Sequence, residues 1–574
     1  MTTIPTTEEL INLFDQGMLA VEMAHKFRLN APAELEAVEV RCVELHNAGF
    51  IDLLRLVESD ALQVLNGADF FKAMHFFCRI LPELEAPPAR MMACVEALVT
   101  RGGEDMMASK PNAAFRAWCT KDPRRAREVI AAAQGGDDLA SRHLTFALEA
   151  RHAIIKARQI ALAYDGTRRL SAITALGRMK DDDPASCAET LVTFSKLLGT
   201  GADDNLRANM LQATAAIIAR DLDAHSPMVV NLVSRLVEEA GEATVHQSAH
   251  ILWANREALQ PEIIASLLKA LSHINPTNKG TVRELDFGLQ SLLESGHDEA
   301  AIGYVTQLLS RQDNDLGLDE FNSFTNTLIS GPIERLSRVV VQWFLIGMTR
   351  LCDGLSKAIR SRGSMDGPPL NLRAEDLAIS PTAQVFICRK AIGWFLFKPT
   401  TAASVVVSVL RICDAETALK VQKLLSEILL LNYSGVREYL EALAPDDAAK
   451  GRVSQCLADS AAYLTALKAI PIIKELEPSE HHRRIERLRM SDQMRDVHKQ
   501  ARARSVFLNL VKQSVLLYGN RSVSFIKDGN DALRPVEMDL KPYGVSFEMP
   551  RMEIIDPVGL EHMLNVFRSE RLLS

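Results

Sequence analysis

The sequence predicts an all-α fold of stacked helix pairs that ends in a small mixed α/β element. Helical periodicity recurs almost without interruption to about residue 515. In the middle of the chain, helix starts marked by Pro or Asp return at regular intervals. After about residue 519 the texture changes to short alternation broken by prolines. Composition agrees. Hydrophobic residues make up 47% and charged residues 24% of the 574 residues, enough apolar material to offset chain entropy. Aromatic residues are only 6%, so Ala and Leu supply much of the apolar fraction and favour helices over strands. The length exceeds what one hydrophobic core sustains, which implies either several domains or one elongated repeat array.

Residues 1–105 carry amphipathic helices without a clean period, as in a small helical region or a divergent cap. Residues 106–360 read as helical repeats. Pro184 follows three aspartates and precedes Cys187, Leu191, Phe194 and Leu198 on one helical face. Pro227 opens a helix bearing Val230, Val233 and Val237, and Pro261 opens one bearing Ile264, Leu267, Leu268 and Leu271. Asp298 precedes Ile302, Val305 and Leu309. A Pro in the first helical turn loses no hydrogen bond there, and its fixed φ suits the helix. Partner helices are expected at 167–179, 205–221, 245–259 and 281–295, so the pair recurs about every 34–43 residues. Residues 361–380 contain Gly and Pro at a density that ends helices, and they read as a loop inserted on one rim. Residues 381–518 read as further repeats ending in a basic-edged helix.

Residues 519–574 read as a β hairpin or meander within 521–555, followed by a short helix at 557–567. Val523, Phe525, Val545 and Phe547 alternate there, and Pro535, Pro542 and Pro550 exclude a continuous helix. A helix expected at 505–517 carries Val506, Phe507, Leu510, Val511, Val515 and Leu516, too apolar to face water. Residues 521–567 are therefore expected to fold back on it as a cap.

In period, loop length and the Asp/Ser-Pro opening of the second helix, the chain resembles HEAT and armadillo-type repeats, most clearly over 160–310. It lacks the regular Asp and Arg positions of well-formed HEAT units. The resemblance implies a HEAT-like α-solenoid with an extended surface for holding other macromolecules, and it implies no chemistry of its own.

Charge limits the partners. Lys and Arg total 65 against 73 Asp and Glu, a net of -8, which argues against a protein whose whole surface coats nucleic acid. The nine cysteines are scattered without CxxC spacing and read as small buried hydrophobes of a reducing compartment. The first ten residues lack the pattern of a secretory signal, and the longest apolar run, 339–348, falls short of a membrane span. These features point to a cytoplasmic chain that does not enter a membrane. Neither a phosphate-binding glycine loop nor a nucleophile motif is present, so no catalytic residue and no cofactor is expected.

Three local features invite chemistry. Arg220 and His225 match the loose spacing of HEPN-type ribonucleases, but they stand where a helix end favours cations. His481 and His482, with Glu477, Glu480 and His498, suggest metal ligands. Adjacent histidines point to different sides of a helix, so a solvated helix start is the plainer reading. The most informative feature is the run 483–504. On a helix, Arg484, Arg487, Ser491, Arg495, His498 and Arg502 fall within about 40° either side of one line. Met490, Met494, Val497 and Ala501 form an apolar stripe beside it. Glu486, Asp492 and Asp496 fall away from the Arg line. Together with Arg483 and Arg504, this basic edge fits a solvated capping helix, an acidic protein partner, or the phosphates of DNA or RNA. Lys121, Arg124 and Arg125, next to Arg127, form a second basic cluster. The reading that results is a non-catalytic scaffold or adaptor for one or more protein partners within a larger complex. The alternatives are a nucleic-acid-binding protein and, last, a HEPN-like ribonuclease.

Overall fold

The computed structural model describes residues 4–572 apart from 30, 60, 63, 104–108, 220–225, 312, 314, 361–366, 472, 505–510, 517–520, 528–532, 540–551 and 553–555. Arg220 and His225, and with them the ribonuclease reading, lie outside the described residues. The chain is mostly helical, with many stacked helices, an arrangement compatible with a helical solenoid. It divides into two compact units, Met1–Pro332 and Ile333–Ser574. No helix among the described residues is long and apolar enough to cross a membrane.

The first unit begins with α1 (Thr7–Asp15), α2 (Leu19–Ala24), α3 (Pro32–Asn47), α4 (Arg55–Glu58), α5 (Ala68–Ile80) and α6 (Pro88–Gly102). It continues with α7 (Ser109–Lys121), α8 (Pro123–Gln134), α9 (Asp138–Ala150), α10 (Ile154–Ala163), α11 (Gly166–Arg178), α12 (Pro184–Gly199) and α13 (Asp204–Ile218). It ends with α14 (Ser226–Val237), α15 (Glu242–Ala254), α16 (Pro261–Leu271), α17 (Lys279–Glu294), α18 (Asp298–Ser310) and α19 (Asn322–Ser330). Local chemistry sets the starts. Pro32, Pro88, Pro123, Pro184 and Pro261 each occupy a first helical turn. Side chains of Asp122, Asp137, Asp183 and Asp203 accept backbone N–H groups as N-caps.

From α7 onward the odd-numbered helices pack each on the next odd one, through to α19. From α10 to α18 the even-numbered helices do the same, and the two rows pack on each other. Small residues allow the odd row to close up. A Cβ on Gly177 of α11 would lie 2.7 Å from Ala213 Cα of α13, and one on Gly288 of α17 would lie 2.8 Å from Leu252 Cβ of α15. We expect Gly177→Ala to destabilise the first unit by about 1–2 kcal/mol, because overpacking against backbone outweighs the gain in helix propensity of about 1 kcal/mol. Chemical denaturation checks this.

Buried and half-buried polar groups tie neighbours together. Asp204 Oδ1 accepts the Gly241 N–H at 2.8 Å and the Thr244 N–H at 3.2 Å, while Oδ2 accepts the Ala243 N–H at 2.7 Å, so α13 caps α15. Asp286 accepts the Ser323 and Phe324 N–H groups at 2.9 Å, so α17 caps α19. Arg158 donates to Ser186 O at 2.7 Å and Arg207 to Arg235 O at 3.2 Å, each across to another helix. Asp and Arg thus bridge the stacked helices here, at positions whose spacing is too irregular to stand out in the sequence.

The second unit contains α20 (Ile333–Ile346), α21 (Thr349–Arg360), α22 (Pro381–Phe395), α23 (Pro399–Leu410), α24 (Ala415–Leu424) with a π-helical continuation at Leu425–Leu430, α25 (Ser434–Glu441), α26 (Lys450–Lys468) and α27 (Glu480–Arg504). Every residue of α23 is buried, and α22 is buried almost all round, so these two helices are the core. The described part of the expected rim loop, 367–380, is irregular but not a free insertion. Leu370, Leu372 and Leu377 are buried, Leu370 N–H donates to Ser404 Oγ at 2.8 Å, and Thr401 Oγ1 donates to Pro368 O at 2.7 Å. Gly367 has a φ of 82°, and a side chain there would strike Thr401 and Lys398.

The C-terminal element is an antiparallel sheet of β1 (Val511–Leu516), β2 (Arg521–Lys527) and β3 (Leu533–Asp539), in that order, followed by α28 (Pro557–Ser569). The expected helix at 505–517 is corrected at 511–516, where Val515 pairs with Val523 and Gln513 with Phe525 in a strand. Lys512, Gln513 and Ser514 interrupt the apolar residues there, and pairing with β2 makes the segment a strand. Pro535 sits in β3, an edge strand, opposite Phe525 of β2, and edge strands are where sheets tolerate proline.

Of the cap expected on 505–517, β2 pairs with 511–516, residues 505–510 and 540–551 lie outside the described residues, and the final helix goes elsewhere. α28 packs on α22, burying Leu560 and Leu564. Lys390 of α22 is wholly buried, and its Nζ donates to the carbonyls of Arg568 at 2.7 Å and Glu570 at 2.6 Å. Arg568 Nε donates to Gly393 O at 2.6 Å, and Arg389 pairs with Glu570 at 2.9 Å. A lysine at a helix C-terminus satisfies carbonyls that the helix itself leaves open. Val545, Phe547, Ile554 and Ile555 lie outside the described residues.

Candidate interaction surfaces

The basic helix forms where the sequence places it, as α27. It is exposed throughout its described side chains, including Ile485, Leu488, Met490, Met494 and Val497 at 44–60% exposure. Seven Arg and one Lys oppose two Glu and two Asp along it, a surplus of four positive charges. Local pairing trims the basic edge. Arg495 meets Asp492 at 2.7 Å one turn away, although Asp492 was expected to fall away from the Arg line. Three residues along a helix are neighbours even when their projected directions differ, so long side chains reach across. Arg483 meets Glu477 at 3.3 Å and Lys499 meets Asp496 at 3.9 Å. Arg484 and Arg487 form no ion pair among the described residues. Arg502 and Arg504 end the helix, and their side chains lie outside the described residues.

His481 and His482 are exposed at the start of this helix, where the His482 N–H donates to Ser479 Oγ at 3.2 Å. Among the described residues no group of His, Cys, Asp and Glu is placed to hold a metal ion. All nine cysteines are buried and free. Burial pushes the Cys42, Cys78, Cys119 and Cys352 thiols up to about 12, which keeps them protonated and unreactive at neutral pH.

In the second basic cluster Lys121 and Arg124 are exposed but have acidic partners. Lys121 pairs with Glu83, and Arg124 pairs with Asp122, the N-cap of α8, at 3.0 Å. The Arg125 guanidinium lies 4.6 Å from the Trp118 ring centre and donates to Trp118 O at 3.2 Å. These three residues belong to the first unit and α27 to the second.

A surface the sequence reading missed runs along the odd row. Between α7, α9 and α11, Glu149 meets Arg116 at 3.1 Å and Arg178 at 3.5 Å, and Arg178 also covers Phe146. Between α11 and α13, Thr174 donates to Asn209 Oδ1 at 3.3 Å. Between α15 and α17, the Glu284 carboxylate accepts the Trp253 indole N–H at 2.6 Å and lies 3.0 Å from His250 Nδ1. Burial would push Glu284 up, but the bonds from Trp253 and His250 hold its carboxyl below the usual range. Trp253 stays 38% exposed and packs edge-on to Phe287 at 6.4 Å. Each bond joins residues about one repeat apart, which a pattern search for close-spaced motifs passes over. Half-exposed Trp and Arg side chains held by neighbours are the residue types that anchor protein interfaces.

No protein-family model matches the chain, and no curated protein matches it.

Proposed function

We propose that the chain is a HEAT-like α-solenoid that works as a non-catalytic cytoplasmic scaffold or adaptor, holding one or more protein partners within a larger complex. The observation that carries this reading is the odd row of helices. Its exposed polar and aromatic side chains are fixed by bonds from helix to helix, so a partner meets a surface whose side-chain entropy is already partly spent. The test is a double substitution, Trp253→Ala with Arg178→Glu. A partner retained by the parent chain should bind at least about tenfold more weakly, since such anchors carry 2 kcal/mol or more. Undiminished retention contradicts this use of the row.

A second reading rests on α27, whose Arg484 and Arg487 are exposed and carry no ion pair among the described residues. In this reading the helix binds nucleic-acid phosphates. Affinity should then fall by about 0.9 log units per tenfold rise in salt for each phosphate contact, and an Arg484/Arg487/Arg502→Glu triple variant should lose it. A flat salt response, or binding that survives the triple variant, removes this reading.

A further inference from the structure

Between α3 and the end of α5 lies a cleft of 420 Å³ that neither surface above includes. Four carboxylates line it, Glu36, Glu39, Glu44 and Glu83, against a single cation, Arg79. Its floor is apolar, made by Val40, Val43 and Ile80, and Val40 is 53% exposed. Two of the acids are already answered: Arg79 meets Glu39 Oε2 at 2.9 Å, and Lys121 pairs with Glu83. Glu36 and Glu44 are exposed and form no ion pair among the described residues.

Glu39 is the telling group. It is only 8% exposed, yet its Oε1 has no hydrogen-bond partner among the described residues. Oε1 is enclosed, so an occupant of the cleft does not bond it directly, but a buried carboxylate with one oxygen unsatisfied gains from positive charge brought near it. Burial pushes the Glu39 carboxyl up, Arg79 opposes this, and Glu36 adds to the rise.

We propose that this cleft is the docking site for a basic amphipathic helix of a protein partner. Such a helix lays the aliphatic stem of a Lys or Arg on Val40, Val43 and Ile80 and sets its charged head among Glu39, Glu36 and Glu44. The apolar floor selects this occupant over a bare cation or a free polyamine, which would leave Val40 uncovered. Long cationic side chains suit both halves of the cleft because their stems are apolar and their heads charged. The proposal rests on the scaffold reading and names the chemistry of the partner.

The test uses the full chain and a fluorescein-labelled amphipathic peptide of Leu, Ala, Lys and Arg, read by anisotropy. A version with Gln for every Lys and Arg is the second probe, and spermine is the competitor. The basic peptide should bind and the Gln version should not. Glu36→Gln/Glu44→Gln, at exposed positions that leave the core alone, should weaken binding by roughly tenfold. Glu257→Gln/Glu262→Gln, exposed acids elsewhere in the same unit, should leave it unchanged. Glu39→Gln should weaken it further, with the melting curve reporting whether the fold is kept. The proposal is overturned if the basic peptide does not bind or if Glu36→Gln/Glu44→Gln binds as the parent does. It is equally overturned if spermine displaces the peptide at matching charge, since the cleft is then only a sink for cations. The two readings fail separately: a chain that brings down a stoichiometric partner yet ignores the peptide overturns the cleft alone.

Discussion

Deleting residues 557–574 should lower the stability of the second unit by about 5 kcal/mol or more, visible as a markedly earlier thermal transition. Leu560 and Leu564 are buried against α22, each worth about 2 kcal/mol. The larger consequence falls on Lys390. Without α28 its ammonium loses the carbonyls of Arg568 and Glu570. The same deletion opens Lys390 to water, so the loss there is that of two hydrogen bonds from a charged donor, each worth about 1.5–3 kcal/mol. The close approach at Gly393, where an added Cβ would lie 3.1 Å from Phe567 Cβ, shows how tightly the two helices fit. Lys390→Met separates the causes. It keeps the side-chain volume and strands the two carbonyls, so it should cost about 2–4 kcal/mol while α28 remains in place. An unchanged melting curve for the deletion would mean that α28 is a tail and not part of the core.

Asp204→Ala should destabilise the first unit by about 2–3 kcal/mol, because three backbone N–H groups at the start of α15 lose their acceptor. The effect depends on pH with a definite sign. Burial would raise the Asp204 carboxyl, but bonds from the Thr244 side chain and from the Ala243, Gly241 and Thr244 backbones outweigh it and hold it below the usual range. A depressed acid contributes fully above the unfolded value of about 3.9, and the contribution disappears as pH falls through the folded value. The parent chain and Asp204→Ala should therefore differ most near neutral pH and converge on acidification below the ordinary Asp range. Denaturant unfolding at a series of pH values measures the gap. A gap that is constant with pH would mean that the carboxylate is not the capping group.

What the sequence discloses here is what is decided locally. The starts at Pro184 and Pro261, and Asp183 as an N-cap, depend only on residues within a turn, and the helices begin there. Expected partner helices at 167–179, 205–221, 245–259 and 281–295 correspond to α11, α13, α15 and α17 within a few residues. Residues 511–516 mislead because Val511, Val515 and Leu516 fit the apolar stripe of a helix, whereas the pairing with β2 that makes them a strand lies outside the segment. The bonds along the odd row were not legible for a related reason. His250 and Glu284 come together only because α15 and α17 stack, and nothing within either helix marks the pair. The basic helix was legible as a helix, but the Arg495–Asp492 pair removes part of the edge that projection alone draws. Lys121, Arg124 and Arg125 were legible as a cluster, but the pairing of Lys121 with Glu83 was not, because Glu83 comes from elsewhere in the chain.

The most direct measurement of the scaffold reading is purification of the tagged full chain from its native host, with mass spectrometry of what comes with it and the mass of the particle in solution. The account predicts at least one protein in fixed stoichiometry with the chain and a particle heavier than the chain alone. A lone monomer, with no protein recovered in stoichiometric amount, would contradict it.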